Sequence, residues 1–256
     1  MNYMDKSVQS REWPTRFDEG RHPRARIGFV LIATERLLED EMFRLAPADV
    51  GIHFSRARNP REIDVASLAS MIDHLAEAAS LIMPGEAPDV VCYACTSGSV
   101  VMGEDNVIAE LEKGAPGATA TTLVSGVIAG LWALEAKRIV IATPYLDEVN
   151  AIEAEYMTRL GFDVLDIQGL NLTYDEEIIK VAPEFLVEFA AAVDRPDADA
   201  IFISCGALRS CEVIDQIEQA TGKPVVTSNQ GMLWHCLRLA GIDDKLGGLG
   251  RLFREF

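Results

Sequence analysis

Short apolar runs that alternate with helix-period stretches predict an α/β protein whose parallel sheet is covered on both faces. Repeated segments predict that its αβ unit is duplicated. Cys95 and Cys205 each follow an apolar run and open a small turn, 110 residues apart, and Ile32-Ala33-Thr34 and Ile141-Ala142-Thr143 recur 109 apart. Ser125 and Ser228 each close a strand-like run, and Trp132 and Trp234 follow, at offsets of 103 and 102. Matches kept in the same order mark an internal repeat, and equivalent strand ends would set the two cysteines across a cleft.

Element by element, residues 1–24 read as a polar extension broken by Pro14, with Trp13 free to dock on a neighbour. Ile27–Ile32 reads as a buried strand. Leu68, Met71, Ile72, Leu75, Ala79 and Ile82 recur at helical spacing until Pro84 and Gly85 end the helix. Further strands are expected at Val90–Ala94, Thr121–Val124, Ile139–Ala142, Val164–Ile167, Ala200–Ser204 and Val225–Thr227. Helical stretches lie between them at 127–136, 148–160, 184–193, 212–220 and 230–240. Open α/β sheets gather ligands at the carboxyl ends of their strands, where Thr34, Cys95, Ser125, Thr143, Cys205 and Ser228 all fall.

The bulk properties narrow the partners. A length of 256 residues suffices for a buried core, and a net charge of −17 disfavours nucleic acid and anionic membranes. An anionic substrate must therefore be held by local donors. Met1–Glu19 lacks the apolar core of an export signal, and no uninterrupted apolar stretch could span a bilayer. The five cysteines are accordingly expected to be reduced thiols in a cytoplasmic protein.

A thiol between a strand and a helix feels the positive end of that helix, which favours the nucleophilic thiolate. The N–H groups of Thr96, Ser97 and Gly98, with the neighbouring hydroxyls, could hold a carboxylate or a developing enolate. Gly206 offers similar access beside Cys205. Two opposed thiols, one ionised and one protonated, suit proton removal from one face of a carbon and delivery to the other. They also suit thiolate addition to an activated double bond. Neither chemistry calls for a metal or a cofactor, and none is expected. Cys92, Cys211 and Cys236 are expected in the core or on helix faces. Cys92-Tyr93-Ala94-Cys95 has the spacing of a redox or zinc hook, but its first cysteine falls inside a buried strand and the four histidines are scattered. Gly247-Gly248-Leu249-Gly250 lacks the preceding strand of a dinucleotide fingerprint.

At Cys95-Thr96-Ser97-Gly98-Ser99, Ala142-Thr143-Pro144-Tyr145-Leu146-Asp147-Glu148-Val149-Asn150 and Ser204-Cys205-Gly206-Ala207-Leu208 the chain resembles the aspartate/glutamate racemase superfamily. Within it, the likeness is to the branch of maleate cis-trans isomerases and arylmalonate decarboxylases, from about Arg26 to the C-terminal helix. The resemblance implies two pseudo-symmetric Rossmann-like lobes, each a four-stranded parallel sheet flanked by helices, with the active site between them. Lobe 1 would span 25–125, completed by a C-terminal helix over 230–256, and lobe 2 would span 126–229. By the same resemblance Cys95 is the nucleophile or first acid/base and Cys205 the second. Thr96, Ser97 and Tyr145 would hold carboxylate oxygens with the Gly206 N–H, and Asn171 lies where maleate isomerases use a carboxylate-binding Asn. The expected partner is a small carboxylate, and a homo-oligomer is expected.

Two departures separate the branches. Arylmalonate decarboxylases resemble this chain around Cys205 but carry Gly at the Cys95 position, so two thiols count against decarboxylation. Maleate isomerases carry an Asn in the loop after the first strand, where this chain reads Ala33-Thr34-Glu35-Arg36. If Glu35 faces the cleft with Thr34, it would repel a dianion and pair with an ammonium group. If it merely begins a helix, it would be exposed. This loop and the polar amino-terminal arm are similar to racemase-like proteins of bacterial ectoine utilisation, which implies interconversion of stereoisomers of an acetylated diaminobutyrate. The expected function is thus a two-cysteine isomerase, either a racemase/epimerase or of maleate type. The alternatives are an arylmalonate-decarboxylase-like lyase and a catalytically silent carboxylate-binding protein.

Overall fold

Apolar runs become interior strands here because helices cover both faces, and every residue of Val90–Tyr93 and Ala200–Ile203 is buried. The computed structural model describes residues 10–62 and 64–256. Of the expected extension over 1–24, residues 1–9 lie outside the described residues, and Trp13 stands exposed.

Strands β1 (Ala25–Ile32), β2 (Val50–Ala57), β3 (Val90–Tyr93) and β4 (Thr119–Thr122) form one sheet in the order β2-β1-β3-β4. Strands β5 (Arg138–Thr143), β6 (Asp163–Gly169), β7 (Ala200–Ile203) and β8 (Val225–Thr227) form a second in the order β6-β5-β7-β8. Every pairing is parallel. Each strand maps onto the one four places later, so the duplication extends to topology. The first half carries helices α1 (Leu38–Leu45), α2 (Val65–Ala69), α3 (Leu75–Ser80), α4 (Thr96–Met102), α5 (Glu104–Gly114) and α6 (Leu123–Ala133). The second carries α7 (Asp147–Arg159), α8 (Asp175–Ile178), α9 (Pro183–Val193), α10 (Ile214–Thr221), α11 (Ser228–Leu239) and α12 (Gly250–Glu255).

Four sequence expectations change. Strand β2 escaped notice because it is an edge strand with partly exposed central residues, and His53, Ser55 and Arg56 break its apolar pattern. The helix expected through Leu68–Ile82 is α2, a 3-10 turn over Ser70–His74, and α3. The stretch 230–256 is not one helix, since α11 and α12 are separated by a segment that turns at Gly241 with φ +74°. Finally, Ser125 and Ser228 are not equivalent strand ends.

The strand register shows the true equivalence. Tyr93 pairs with Thr122 in the first sheet and Ile203 pairs with Thr227 in the second. Thr122 and Thr227 cap α6 and α11, each in a reciprocal capping box, with Ser125 and Gln230 respectively. The last αβ unit therefore repeats at an offset of 105. Ser125 matches Gln230, and Gly126 matches Gly231. These two glycines meet: a Cβ on Gly126 would lie 2.7 Å from the Gly231 carbonyl oxygen. Helices α6 and α11 thus cross where the two halves meet, closely enough that their backbones touch.

Candidate active site

The two cysteines leave equivalent strand ends, but their turns differ. Cys95 is the N-cap of α4 with φ −144°, and its Sγ accepts the Gly98 N–H at 3.4 Å, with Ser97 Oγ 3.8 Å away. It takes the place of the Ser or Asp that usually caps a helix. Cys205 adopts φ +104°, a conformation that disfavours any residue except glycine. No helix begins there: a loop leads to a 3-10 turn at Ser210–Glu212, so the helix-end activation expected for this thiol is missing. Cys205 instead gives its N–H to Ser228 Oγ at 2.9 Å, and its Sγ accepts the Ala207 N–H at 3.4 Å. Ser228 Oγ also bonds Thr96 Oγ1 at 2.8 Å, so one hydroxyl ties both cysteine turns together.

Both thiols line one narrow cavity of about 30 Å³ between the two sheets. Of the residues predicted to bind substrate, Glu35, Thr96, Ser97, Tyr145 and Gly206 line it, and Thr34 and Asn171 do not. Asn171 is exposed in a left-handed conformation (φ +57°), its N–H spent on the Tyr145 carbonyl. The Thr34 hydroxyl donates to Asp175 Oδ2 and accepts from Asn59 Nδ2, so it supports the wall from behind.

Glu35 lines the cavity, and the alternative of an exposed helix start is corrected by its burial. It is buried, and its Oε1 accepts the N–H groups of Arg36, Leu37 and Leu38, which caps α1. Among the described residues its Oε2 has no hydrogen-bond partner, and it lies 3.9 Å from where a Cβ on Gly206 would sit. The loop is fixed by Arg56 of β2, whose guanidinium donates to the Glu35 carbonyl at 2.8 Å. The residue that hid the strand from the sequence pattern thus sets this wall of the site.

Sequence reasoning missed Asp175, Asn59, Glu62 and Ser67, which complete the polar lining among the described residues. Asp175, 3 % exposed, opens α8 within an acidic Asp-Glu-Glu run, so it reads as a solvated helix start. Among the described residues no Lys, Arg or His belongs to the lining. Leu68 and Met71 supply an apolar wall.

The electrostatics of the site favour neutral thiols. Burial pushes Cys95 up to about 11 against the Gly98 N–H and Ser97, and Asp175 adds to the rise. Cys205 is raised further, first by burial and then by Asp175, against the pull of the Tyr145 hydroxyl and the Ala207 N–H. The expected lowering of both thiols is therefore reversed, because desolvation outweighs a seven-residue helix and two amides. Glu35 is raised by burial against its three amides, and Asp175 by burial against Thr34. Cys92, by contrast, lies wholly buried inside β3 beside the Cys236 thiol, away from the cavity.

Among known proteins, the chain is 35% identical over 144 residues to an arylmalonate decarboxylase of Bordetella bronchiseptica, covering 55% of this chain and 60% of that protein. It is 27% identical over 241 residues to a maleate isomerase of Nocardia farcinica, covering 90% and 96%. A solved Nocardia farcinica maleate cis-trans isomerase, a mutant with a covalently bound succinylcysteine intermediate, superposes with a TM-score of 0.83 at 25% identity, covering 91% of this chain and 99% of that one. The family described as arylmalonate decarboxylase matches residues 52–253, most of the chain and both cysteines, and the chain belongs to that family.

Proposed function

We propose that this protein is a cofactor-independent isomerase in which Cys95 and Cys205 act on opposite faces of a carbon next to a carboxylate. The observation that carries this reading is the pair of thiols from equivalent strand ends lining one cavity and joined through Ser228. One thiolate removes the α-proton, the carboxylate takes up the charge as an enolate, and the other thiol delivers its proton to the far face. Thr96, Ser97 and Tyr145, with the Gly206 N–H, hold the carboxylate oxygens.

The lining also supports a substrate class. A dianion would meet Glu35 and Asp175, each more than nine-tenths buried, with no cation among the described residues of the wall to offset them. An amino acid places an ammonium group there instead. Its charge offsets the Asp175 field that raises both thiols, so substrate binding itself favours the thiolate. The loop Ala33–Arg36 supports the finer reading of an acetylated diaminobutyrate in ectoine degradation.

A second reading draws on the succinylcysteine of the Nocardia farcinica enzyme. Here a thiolate adds to a cis double bond, the resulting single bond rotates, and elimination restores the thiolate. One experiment separates the two readings. Incubation in D₂O with a panel of amino acids, and separately with maleate, should give deuterium at Cα and inversion of the amino acid. Fumarate without Cα exchange supports the second reading, and neither product overturns both.

A further inference from the structure

Behind Cys205 runs a buried chain of hydrogen bonds that the reaction above does not use. Glu41, on α1 and fully buried, accepts from Asn229 Nδ2 at 2.7 Å. The same nitrogen donates to the Gly206 carbonyl at 2.8 Å. The Gly206 carbonyl and the ionised Glu41 are both acceptors, so the amino end of the Asn229 amide fits between them. The Gly206–Ala207 peptide is planar and trans, so its carbonyl and its N–H point in opposite directions. Holding the carbonyl on Asn229 therefore turns the Ala207 N–H toward Cys205, where it meets Sγ at 3.4 Å. The preceding residue needs such support, because Cys205 sits at φ +104°. Cys95 has no equivalent relay, since its amide comes from the first turn of its own helix.

We propose that Glu41 is a positioning residue for Cys205: through Asn229 and the Gly206–Ala207 peptide it aims an N–H at the sulfur and so sets how readily that thiol ionises. Glu41 touches neither the cavity nor the thiol, so its influence reaches one cysteine of the pair. Burial raises Glu41 to about 7 against Asn229 and Cys211, so above that pH it is the carboxylate that accepts from Asn229.

The test is the rate at which methyl methanethiosulfonate modifies each thiol at a fixed pH, resolved by mass spectrometry in the full chain without substrate. Cys95 shares the cavity and serves as the internal control for access. Asn229→Ala and Glu41→Ala should each lower the Cys205:Cys95 rate ratio by about tenfold, equivalent to one pKa unit. Glu41→Gln, which keeps an acceptor, should stay within about threefold of wild type. If the alanine variants fail to fold, Glu41→Met fills the same volume without a carboxylate and should show the same drop. An unchanged ratio in folded Glu41→Met, or equal slowing of both thiols, overturns the proposal. Because no turnover is read, this outcome is independent of whether the protein is an isomerase.

Discussion

The Cys95 and Cys205 turns occupy equivalent places in a duplicated sheet and are built on different physics. Cys95 is a relaxed N-cap whose sulfur is served by its own helix. Cys205 is a strained residue off any helix, its turn held by Ser228 and Asn229 of α11 and by the Ala207 N–H of the turn itself. Duplication fixed where the sulfurs stand, and divergence fixed what surrounds each. Two equal thiols would give no preferred direction to a proton transfer, whereas two unequal ones can be set for opposite protonation states.

The largest effect should come from removing either sulfur. Cys95→Ala and Cys205→Ala are each expected to lower isomerisation by roughly 10³-fold or more, measured as Cα–deuterium exchange coupled to inversion. If one variant keeps near-wild-type turnover, the two turns are not partners.

Next in size is a pH effect carried by two buried carboxylates near the Cys205 turn. Glu41 supports that turn, and Glu153, fully buried with both carboxylate oxygens unpartnered among the described residues, lies beside Ser204. Both are raised to about 7, mainly by burial, from the 4.5 of an ordinary Glu. In the window between those values the folded state holds protons that the unfolded chain has released, so the stability these two groups contribute is full below about pH 4.5 and is lost by about pH 7. The loss is of the order of 3 kcal/mol for each group. Chemical denaturation across this window checks it, and Glu153→Gln should flatten the slope.

The junction of the halves is not symmetric either. Gly126→Ala forces a Cβ to within 2.7 Å of the α11 backbone, whereas at Gly231 the nearest atoms lie 3.2 to 3.3 Å away. The first should cost about 1–3 kcal/mol by thermal or urea unfolding and the second less.

The smallest effect compares the two turns directly. Cys95→Gly removes a cap from a relaxed position and should destabilise by roughly 0.5–1 kcal/mol. Cys205→Gly relieves a positive φ and should be neutral or stabilising by about 1 kcal/mol. Equal losses would mean that the backbone contrast has no energetic content.

Particular residues show how much of this the chain spells out. Cys95 and Cys205 are legible because each follows an apolar run that ends at the same face of a parallel sheet, whereas Tyr145 and Glu35 stand out only through the family resemblance. Asp175 is not legible, because an acid opening a helix satisfies the macrodipole whether or not it faces a cavity. Strand β2 was hidden by His53, Ser55 and Arg56, which an edge strand tolerates because one flank stays open. Gly206 invited the left-handed conformation, yet Cys205 takes it. That choice depends on Ser228 and Asn229, which lie more than twenty residues away and which no local pattern connects to this turn. The offsets near 110 located the thiols, whereas the true offset of 105 for the last unit emerged only from strand register.

The most direct test of two sulfurs on opposite faces of one carbon is isotopic. Each enantiomer of a turned-over amino acid is given separately to the enzyme in D₂O and sampled early. Deuterium should enter the inverted product while recovered substrate keeps its hydrogen, because the group that removes the proton is not the one that delivers the new one. Deuterium appearing equally in recovered substrate and product would mean that a single base serves both faces, and would contradict the account.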